Sequence, residues 1–375
     1  MSGEARFDAQ EILSGLKDWV EIESPSSDPE ATNRMVARVA TEFAALGAKT
    51  ERLAGPEGYG DCLKVRTQWG GDGPGIMVIC HLDTVHPIGF LERLPYHVDG
   101  DKAYGPGIYD MKSGAYIALH AYRELCRLGK ESKLPITFFF NTDEELSSVT
   151  SRDPIMEEAK KHKYVLIAEP SSDLGKVITN RKGTARFNMS ITGVAAHSGG
   201  NHEKGRSAIK ELAHQILFLE SLTDYDKALT VNVGEITGGT RANVVPEFAT
   251  ALVDMRVPTK VLADEYIAKV LNIAANDPDV SIKIEGGAQR PPFEQSDASL
   301  ALCDKIAALA KEIGFELYGG RGGGASDGNF TSLFTPTIDG LGIIGEGAHT
   351  DHEHILISSI EPRARLMYRM FETLA

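Results

Sequence analysis

Ile76-Met77-Val78-Ile79-Cys80-His81-Leu82-Asp83 runs five apolar residues without a polar break into a histidine and a carboxylate. A strand with one wet face alternates apolar and polar side chains, whereas an unbroken apolar run belongs to a strand covered on both faces, as in a parallel sheet flanked by helices. Two more such runs follow, Ile136-Thr137-Phe138-Phe139-Phe140 and Tyr164-Val165-Leu166-Ile167-Ala168, with helical patterns over 111–128 and 152–161 between the strands. Strand, helix, strand, helix, strand reads as a doubly wound α/β sheet. Two helices precede it. One is expected over 9–20; the other opens with Asp28 as N-cap and Pro29 in the first helical position and stops at Gly47.

Working outward, the pattern changes after Arg181-Lys182-Gly183. Ala185-Arg186-Phe187-Asn188-Met189-Ser190-Ile191 and Ala249-Thr250-Ala251-Leu252-Val253-Asp254-Met255 alternate, which predicts an antiparallel sheet with one exposed face. A helix over 205–222 places Ile209, Leu212, Ile216 and Leu219 on one stripe, and a second is expected over 262–274. This α+β insert is expected to end near Gly286-Gly287. A helix over 298–311, the glycines Gly322, Gly323 and Gly324, and a last helix over 360–374 then return to the first style. The expected organisation is a catalytic domain made of residues 1–182 and 288–375, interrupted by an insert of residues 183–287, with hinges near Lys182-Gly183 and Gly286-Gly287.

Composition narrows the function classes. The 375 residues carry a formal net charge of −14, which repels phosphate backbones and argues against a nucleic-acid partner. No apolar run nears the roughly 20 residues of a membrane helix, so no membrane association is expected. The polar stretch from Met1 to Phe7 lacks the basic start and apolar region of a signal peptide, so a cytoplasmic protein is expected. Cys62, Cys80, Cys126 and Cys303 form no C-x-x-C pair and are too sparse for a disulfide framework; they read as small buried hydrophobes.

Each doubly covered strand ends in potential metal ligands, and in open α/β sheets the carboxyl ends of the strands form the binding crevice. His81 and Asp83 follow the first, Asn141-Thr142-Asp143-Glu144-Glu145 closes the second, and Glu169-Pro170 follows the third. Asp110 stands just before the 111–128 helix, and Gly347-Ala348-His349-Thr350 precedes a strand-like stretch. A lone histidine is usually a satisfied surface or core residue. Two histidines and several carboxylates at strand ends point instead to a metal site.

These segments resemble a known family, the dinuclear zinc hydrolases that include glutamate carboxypeptidases of the carboxypeptidase G type, aminoacylase, acetylornithine deacetylase and succinyl-diaminopimelate desuccinylase. The resemblance covers almost the whole chain. It is carried by His81-Leu82-Asp83-Thr84-Val85, Gly105-Pro106-Gly107-Ile108-Tyr109-Asp110-Met111-Lys112-Ser113-Gly114, Thr142-Asp143-Glu144-Glu145, Ala168-Glu169-Pro170, Ala196-His197-Ser198-Gly199 and Gly347-Ala348-His349. The carboxypeptidase G branch is the most similar, through Asn141-Thr142-Asp143-Glu144-Glu145, Thr150-Ser151-Arg152-Asp153 and Met156-Glu157-Glu158-Ala159-Lys160. The resemblance implies a zinc-exopeptidase-like catalytic domain with a mixed, mostly parallel sheet, plus an inserted α+β (ferredoxin-like) dimerisation and lid domain.

It also implies two divalent metal ions, expected to be Zn²⁺, with Co²⁺ or Mn²⁺ able to substitute. Asp110 would bridge them, His81 and Glu169 completing one ion and Glu145 and His349 the other. Two such ions bring four positive charges against three carboxylates, whereas the same carboxylates packed together without cations would repel one another. Asp83, two residues after His81 on an extended segment, is expected to accept the free imidazole N–H. Glu144 is expected to be the general base. His197 matches a family histidine that reaches across a homodimer and helps hold the oxyanion. Asn243 and Arg290 match positions that grip a substrate carboxylate, for which a guanidinium fork is well shaped. Gly322, Gly323 and Gly324 would let backbone approach the substrate, while Arg256 reads as an ion-pair partner on its strand.

Leu146-Ser147-Ser148 stands where the family commonly has a glycine, so the turn after Glu145 is expected to differ. His86, His120, His162, His202, His214, His352 and His354 read as solvated. The expected activity is hydrolysis of the amide of an N-acyl amino acid or short peptide with a free carboxylate, first of all as a glutamate-type carboxypeptidase. The alternative is an N-acyl-amino-acid deacylase with the same centre. An inactive binding protein of this fold is the reading of a different class, and the complete ligand set with Glu144 argues against it.

Overall fold

The computed structural model describes residues 4–375; residues 1–3 of the polar N-terminal stretch lie outside the described residues. The chain divides into two compact units. One comprises the chain up to Asn180 with Gln295–Gly322 and Ser326–Ala375, the other Arg181–Glu294 with Gly323–Ala325.

The first unit is built on a six-stranded mixed sheet in the order Lys49–Leu53, Cys62–Arg66, Ile136–Asn141, Gly75–His81, His162–Ile167 and Thr337–Ile338. The first two junctions are antiparallel and the remaining three parallel. Every residue of Gly75–His81 and Ile136–Asn141 is buried, as the unbroken apolar runs predict. Side chains alternate between two cores: Ile76, Val78 and Cys80 join Trp19, Phe43, Tyr122 and Phe138 on one face. Met77 and Ile79 meet Phe139, Ile155, Val165 and Ile167 on the other. Parallel register sets His81 beside Asn141 and Ile79 beside Ile167, so the segments that follow these strands leave the sheet side by side.

The helix Ala9–Val20 is capped by the Asp8 carboxylate, and Pro29–Ala45 by Asp28, which accepts the Ala31 N–H at 3.0 Å. The helix expected from residue 111 begins at Ser113, and Asp110 and Met111 have non-helical backbones. The reason is tertiary. The Asp110 N–H is taken by the Glu353 carboxylate at 3.0 Å instead of by a helical carbonyl. A small second sheet, Gly345–Glu346, His354–Leu356, Lys102–Tyr104 and His97–Asp99, joins the segment after His349 to the segment before Asp110 by pairing His354 with Tyr104. Among the described residues all four cysteines are free and no helix is long and apolar enough to cross a membrane.

The second unit is a four-stranded antiparallel sheet in the order Thr230–Gly238, Phe248–Val257, Gly183–Thr192, Ser281–Arg290. Along the chain its elements run strand, helix Ala208–Ser221, strand, strand, helix Lys260–Leu271, strand, the ferredoxin-like βαββαβ order. Ala185, Phe187, Met189 and Ile191 point to one core with Ala249, Ala251, Val253 and Met255, while the residues between them stay outside. Gly286 and Gly287 sit within the last strand, opposite Phe187 and Arg186, and that strand continues to Arg290. A Cβ on Gly286 would stand 2.1 Å from the Arg186 carbonyl oxygen, so the glycine there serves strand packing.

Candidate metal centre

His81 is the last residue of the Gly75–His81 strand. Its Nδ1 donates to the backbone carbonyl of Asp83 at 2.9 Å, which leaves Nε2 to face Asp110 Oδ1 at 3.0 Å and Glu169 Oε1 at 3.9 Å. The other oxygen of Asp110 faces a second group: His349 Nε2 lies 3.5 Å from Asp110 Oδ2 and 3.2 Å from Glu145 Oε2. Two donor triads therefore share one carboxylate, His81 with Asp110 and Glu169, and Asp110 with Glu145 and His349; within each the donor atoms lie within 4.8 Å of one another. His81 and Glu169 are buried, whereas the His349 side chain is half exposed.

The electrostatics of this cluster fit a cation pair. Burial, reinforced by Asp110, raises the Glu169 carboxyl well above its ordinary range, and burial raises Glu145 as well. Burial opposes charge on His81, yet its hydrogen bonds to Asp110 and Asp83 carry its pKa well above the usual histidine value. Hydrogen bonds to Asp110 and Glu145 push His349 up to about 10. Burial alone would raise Asp110, but hydrogen bonds from His349 and His81 hold it low. Carboxylates and imidazoles so packed attract positive charge, and protons or divalent ions supply it. Oxygen and imidazole donors of this kind suit Zn²⁺ and its first-row neighbours.

Asp83 takes a different part from the expected one. The acceptor of the His81 N–H is its backbone carbonyl, with the carboxylate 3.5 Å from the ring nitrogen. The carboxylate accepts Ser26 Oγ–H at 2.7 Å and the backbone N–H groups of Glu144 at 3.3 Å and Glu145 at 3.2 Å. It thus holds the turn Glu144–Leu146, which presents Glu145 to His349 and leaves Glu144 half buried. After this turn Ser147 and Ser148 adopt left-handed backbones, φ 69° and 52°, in the place of the family's glycine. Backbone bonds Ser147 N to Glu144 O and Ser148 N to Asp143 O offset that strain, and Ser148 Oγ bonds to the Asp327 carboxylate.

The remaining expected site residues lie in the second unit. His197, in the short strand Ala196–His197, pairs with Val244, and Asn243 accepts the Ser198 N–H at 3.1 Å, so His197 and Asn243 are neighbours. Nδ1 of His197 accepts the N–H groups of Gly199 and Gly200, both at 3.1 Å, which puts the ring proton on Nε2. Arg290 ends its strand and is buried. The Gly324 carbonyl accepts a bond from Arg181, and a Cβ on Gly323 or Gly324 would meet no atom within 4 Å. Arg256 pairs with Asp254 on its own strand at 2.7 Å. Three histidines read as solvated, His86, His120 and His354, are buried. Sequence reasoning gave Ser26 no part and read His86 as solvated; Ser26 stands 57 residues from Asp83, so no local pattern links them.

The comparisons agree with this geometry. The model of peptidase family M20/M25/M40 matches residues 77–373. Carboxypeptidase G2 of Pseudomonas sp. (strain RS-16) is 33% identical over 367 residues, covering 96% of this chain and 88% of that protein. Among solved structures, the aminopeptidase PepT of Bacillus cereus superposes with a TM-score of 0.84 at 21% identity, covering 97% of this chain and 98% of that one. A dinuclear metal binding peptidase of Bacillus subtilis superposes with a TM-score of 0.71 at 15% identity, covering 98% and 99%. The chain belongs to peptidase family M20/M25/M40 and is a metal-dependent hydrolase of that family.

Proposed function

We propose that this hydrolase is a glutamate-type carboxypeptidase: it cleaves the amide that joins an acyl or peptidyl group to an amino acid with a free carboxylate, with glutamate the preferred released residue. The observation that carries the reading is the pair of donor triads meeting on the two oxygens of Asp110, with Glu144 adjoining the ligand Glu145. The carboxypeptidase relative, matched over nearly the whole chain, supports the substrate class.

In this reading His81, Asp110 and Glu169 hold one divalent ion, and Asp110, Glu145 and His349 the other. Zn²⁺ is the expected metal. When bound, such a pair polarises the scissile carbonyl and acidifies water. Glu144 takes a proton from the attacking water and delivers it to the departing amine as the C–N bond breaks, giving a carboxylate and a free amino acid. Asp83 keeps Glu144 and Glu145 in register by accepting their backbone N–H groups. His197 donates its Nε2–H to the oxygen on which negative charge develops. Arg290 and Asn243 grip the free carboxylate, and Gly323 and Gly324 leave room for it. Catalysis falls to the unit formed by the chain up to Asn180 with Gln295–Gly322 and Ser326–Ala375, while the insert, expected to end near Gly287 but continuing to Glu294, serves as lid and dimerisation domain, and the enzyme works as a cytoplasmic homodimer in which His197 serves the partner's site.

The test compares kcat/KM for peptidyl or pteroyl glutamate, N-acetyl amino acids and N-succinyl-diaminopimelate, with Zn²⁺ supplied. Preference for the glutamate conjugates supports the proposal. Preference for N-acetyl amino acids would replace it by a deacylase with the same centre.

A further inference from the structure

We propose that Glu353, with His86 as its partner, is a positioning residue that fixes the Asp110 carboxylate between the two donor triads. The inference rests on the reading of Asp110 as the shared ligand. Glu353 is fully buried, and its carboxylate accepts four hydrogen bonds: Tyr109 N–H at 2.9 Å and Asp110 N–H at 3.0 Å on Oε1, Gly107 N–H at 2.9 Å and His86 Nε2–H at 2.8 Å on Oε2. Those four bonds use the acceptor capacity of both oxygens.

The placement of these partners along the chain carries the argument. His86 lies five residues after His81 and stacks on Phe90, ring centroids 4.2 Å apart. Gly107, Tyr109 and Asp110 lie in the segment that leads into the helix Ser113–Leu128, and the backbone of this segment leaves the helical region at Asp110, φ −114° and ψ 96°, where it aims the shared carboxylate. Glu353 itself lies four residues after His349, and its carbonyl accepts the Gly105 N–H at 3.3 Å. One carboxylate therefore ties together the three segments that bear His81, Asp110 and His349. A buried carboxylate has a comparable set of bonds in the second unit, where Glu211 accepts the N–H groups of Asn276 and Asp277 and the side chain of Gln215. Glu211 touches no ligand-bearing segment, so it separates support of the fold from support of the ligands.

Glu353→Gln keeps the shape but replaces one acceptor oxygen by a donor, which opposes at least one of the three backbone N–H groups. The experiment titrates the metal-free full chain with Co²⁺, read by visible absorption, beside thermal melting of each variant. Wild type should take up two ions. Glu353→Gln should bind at least one of them about tenfold more weakly or worse, the scale typical of residues that orient metal ligands. Glu211→Gln should lose thermal stability and bind Co²⁺ as wild type does. His86→Phe keeps the stack on Phe90 and removes one bond, so it should weaken binding in the same direction by less. Wild-type affinity for both ions in Glu353→Gln overturns the inference, and so does an equal loss in Glu211→Gln. Should Glu353→Gln not fold, unchanged Co²⁺ affinity in His86→Phe overturns it equally. A wild type that fails to bind two ions would instead refute the reading of the centre, and this inference with it.

Discussion

Replacing Gly114 by alanine measures how closely the helix after Asp110 must lie on the strand end that carries Glu169. A Cβ at position 114 would stand 1.8 Å from the Ala168 carbonyl oxygen and 2.9 Å from its carbon. Both are backbone atoms, so no rotamer change relieves the overlap. Reaching even 3.0 Å requires the helix and strand end to part by about 1.2 Å. Alanine in a helix gains about 1 kcal/mol over glycine. Overpacking costs about 1–3 kcal/mol, and an obstacle of backbone on both sides belongs at or above the top of that range. The net expectation is a loss of about 2 kcal/mol, or about 4–8 °C in melting temperature at this domain size. Because Glu169 follows Ala168 directly, a displacement of about 1 Å also misplaces a proposed ligand, which can cost about 10²-fold in rate. Gly73→Ala is the control: its Cβ would meet nothing within 4 Å, so melting should move by a degree or so at most. The assay is thermal melting by circular dichroism beside turnover of a glutamate conjugate. A Gly114→Ala protein that melts at or above wild type with wild-type turnover refutes the reasoning.

Three further outcomes are expected. Glu144→Gln should retain both ions by elemental analysis yet lose about 10²–10⁴-fold in kcat, the usual weight of a positioned proton-transfer group; normal turnover would move that role elsewhere. Because His349 is pushed up to about 10 by Asp110 and Glu145, and burial with Asp110 raises Glu169, the metal-free centre holds protons at neutral pH that cations must displace. Zn²⁺ affinity should therefore rise from pH 6 to pH 8, and calorimetry in buffers of different ionisation enthalpy should detect released protons; affinity independent of pH would contradict this. Mixing inactive His197→Ala with inactive Glu144→Gln under subunit exchange should restore part of the activity, since one pocket of the mixed dimer has both residues intact; no recovery despite demonstrated exchange would place His197 within its own chain's site or outside it altogether.

What was legible in the sequence obeyed local rules. The strands showed as unbroken apolar runs because burial on both faces leaves no polar phase, and the helix Pro29–Ala45 showed its start because Asp28 and Pro29 satisfy the first turn. The candidate ligands showed as donors placed at or near the ends of such strands, and the fold brings His81, Asp110 and Glu169 together and Asp110, Glu145 and His349 together. Contacts between distant segments left no such trace. Glu353 and His86 stand 267 residues apart, and Ser26 and Asp83 57 apart. The helix start was misplaced because Asp110 is held by Glu353, a partner no local pattern reveals. The left-handed turn at Ser147 and Ser148 hid for a related reason: serine seldom takes that backbone unless surrounding bonds hold it there.

The carboxylates around this centre divide by what offsets their charge. Asp83 is bonded to Ser26 and two backbone N–H groups, and Glu353 to three backbone N–H groups and His86, so the protein itself supplies the partners of both. Glu145 and Glu169 are raised by burial, Asp110 adding to it, and theirs is the charge that a cation pair would offset. The first pair fixes the turns that aim the second. A cradle so divided would need little reordering to take up ions, which would lower the ordering cost of binding them. Ion removal by a chelator at neutral pH should accordingly abolish hydrolysis and lower the melting temperature by the linkage contribution of binding, while far-ultraviolet circular dichroism stays that of the loaded protein. Loss of secondary structure on chelation would mean instead that the ions, and not Asp83 and Glu353, hold these turns in place.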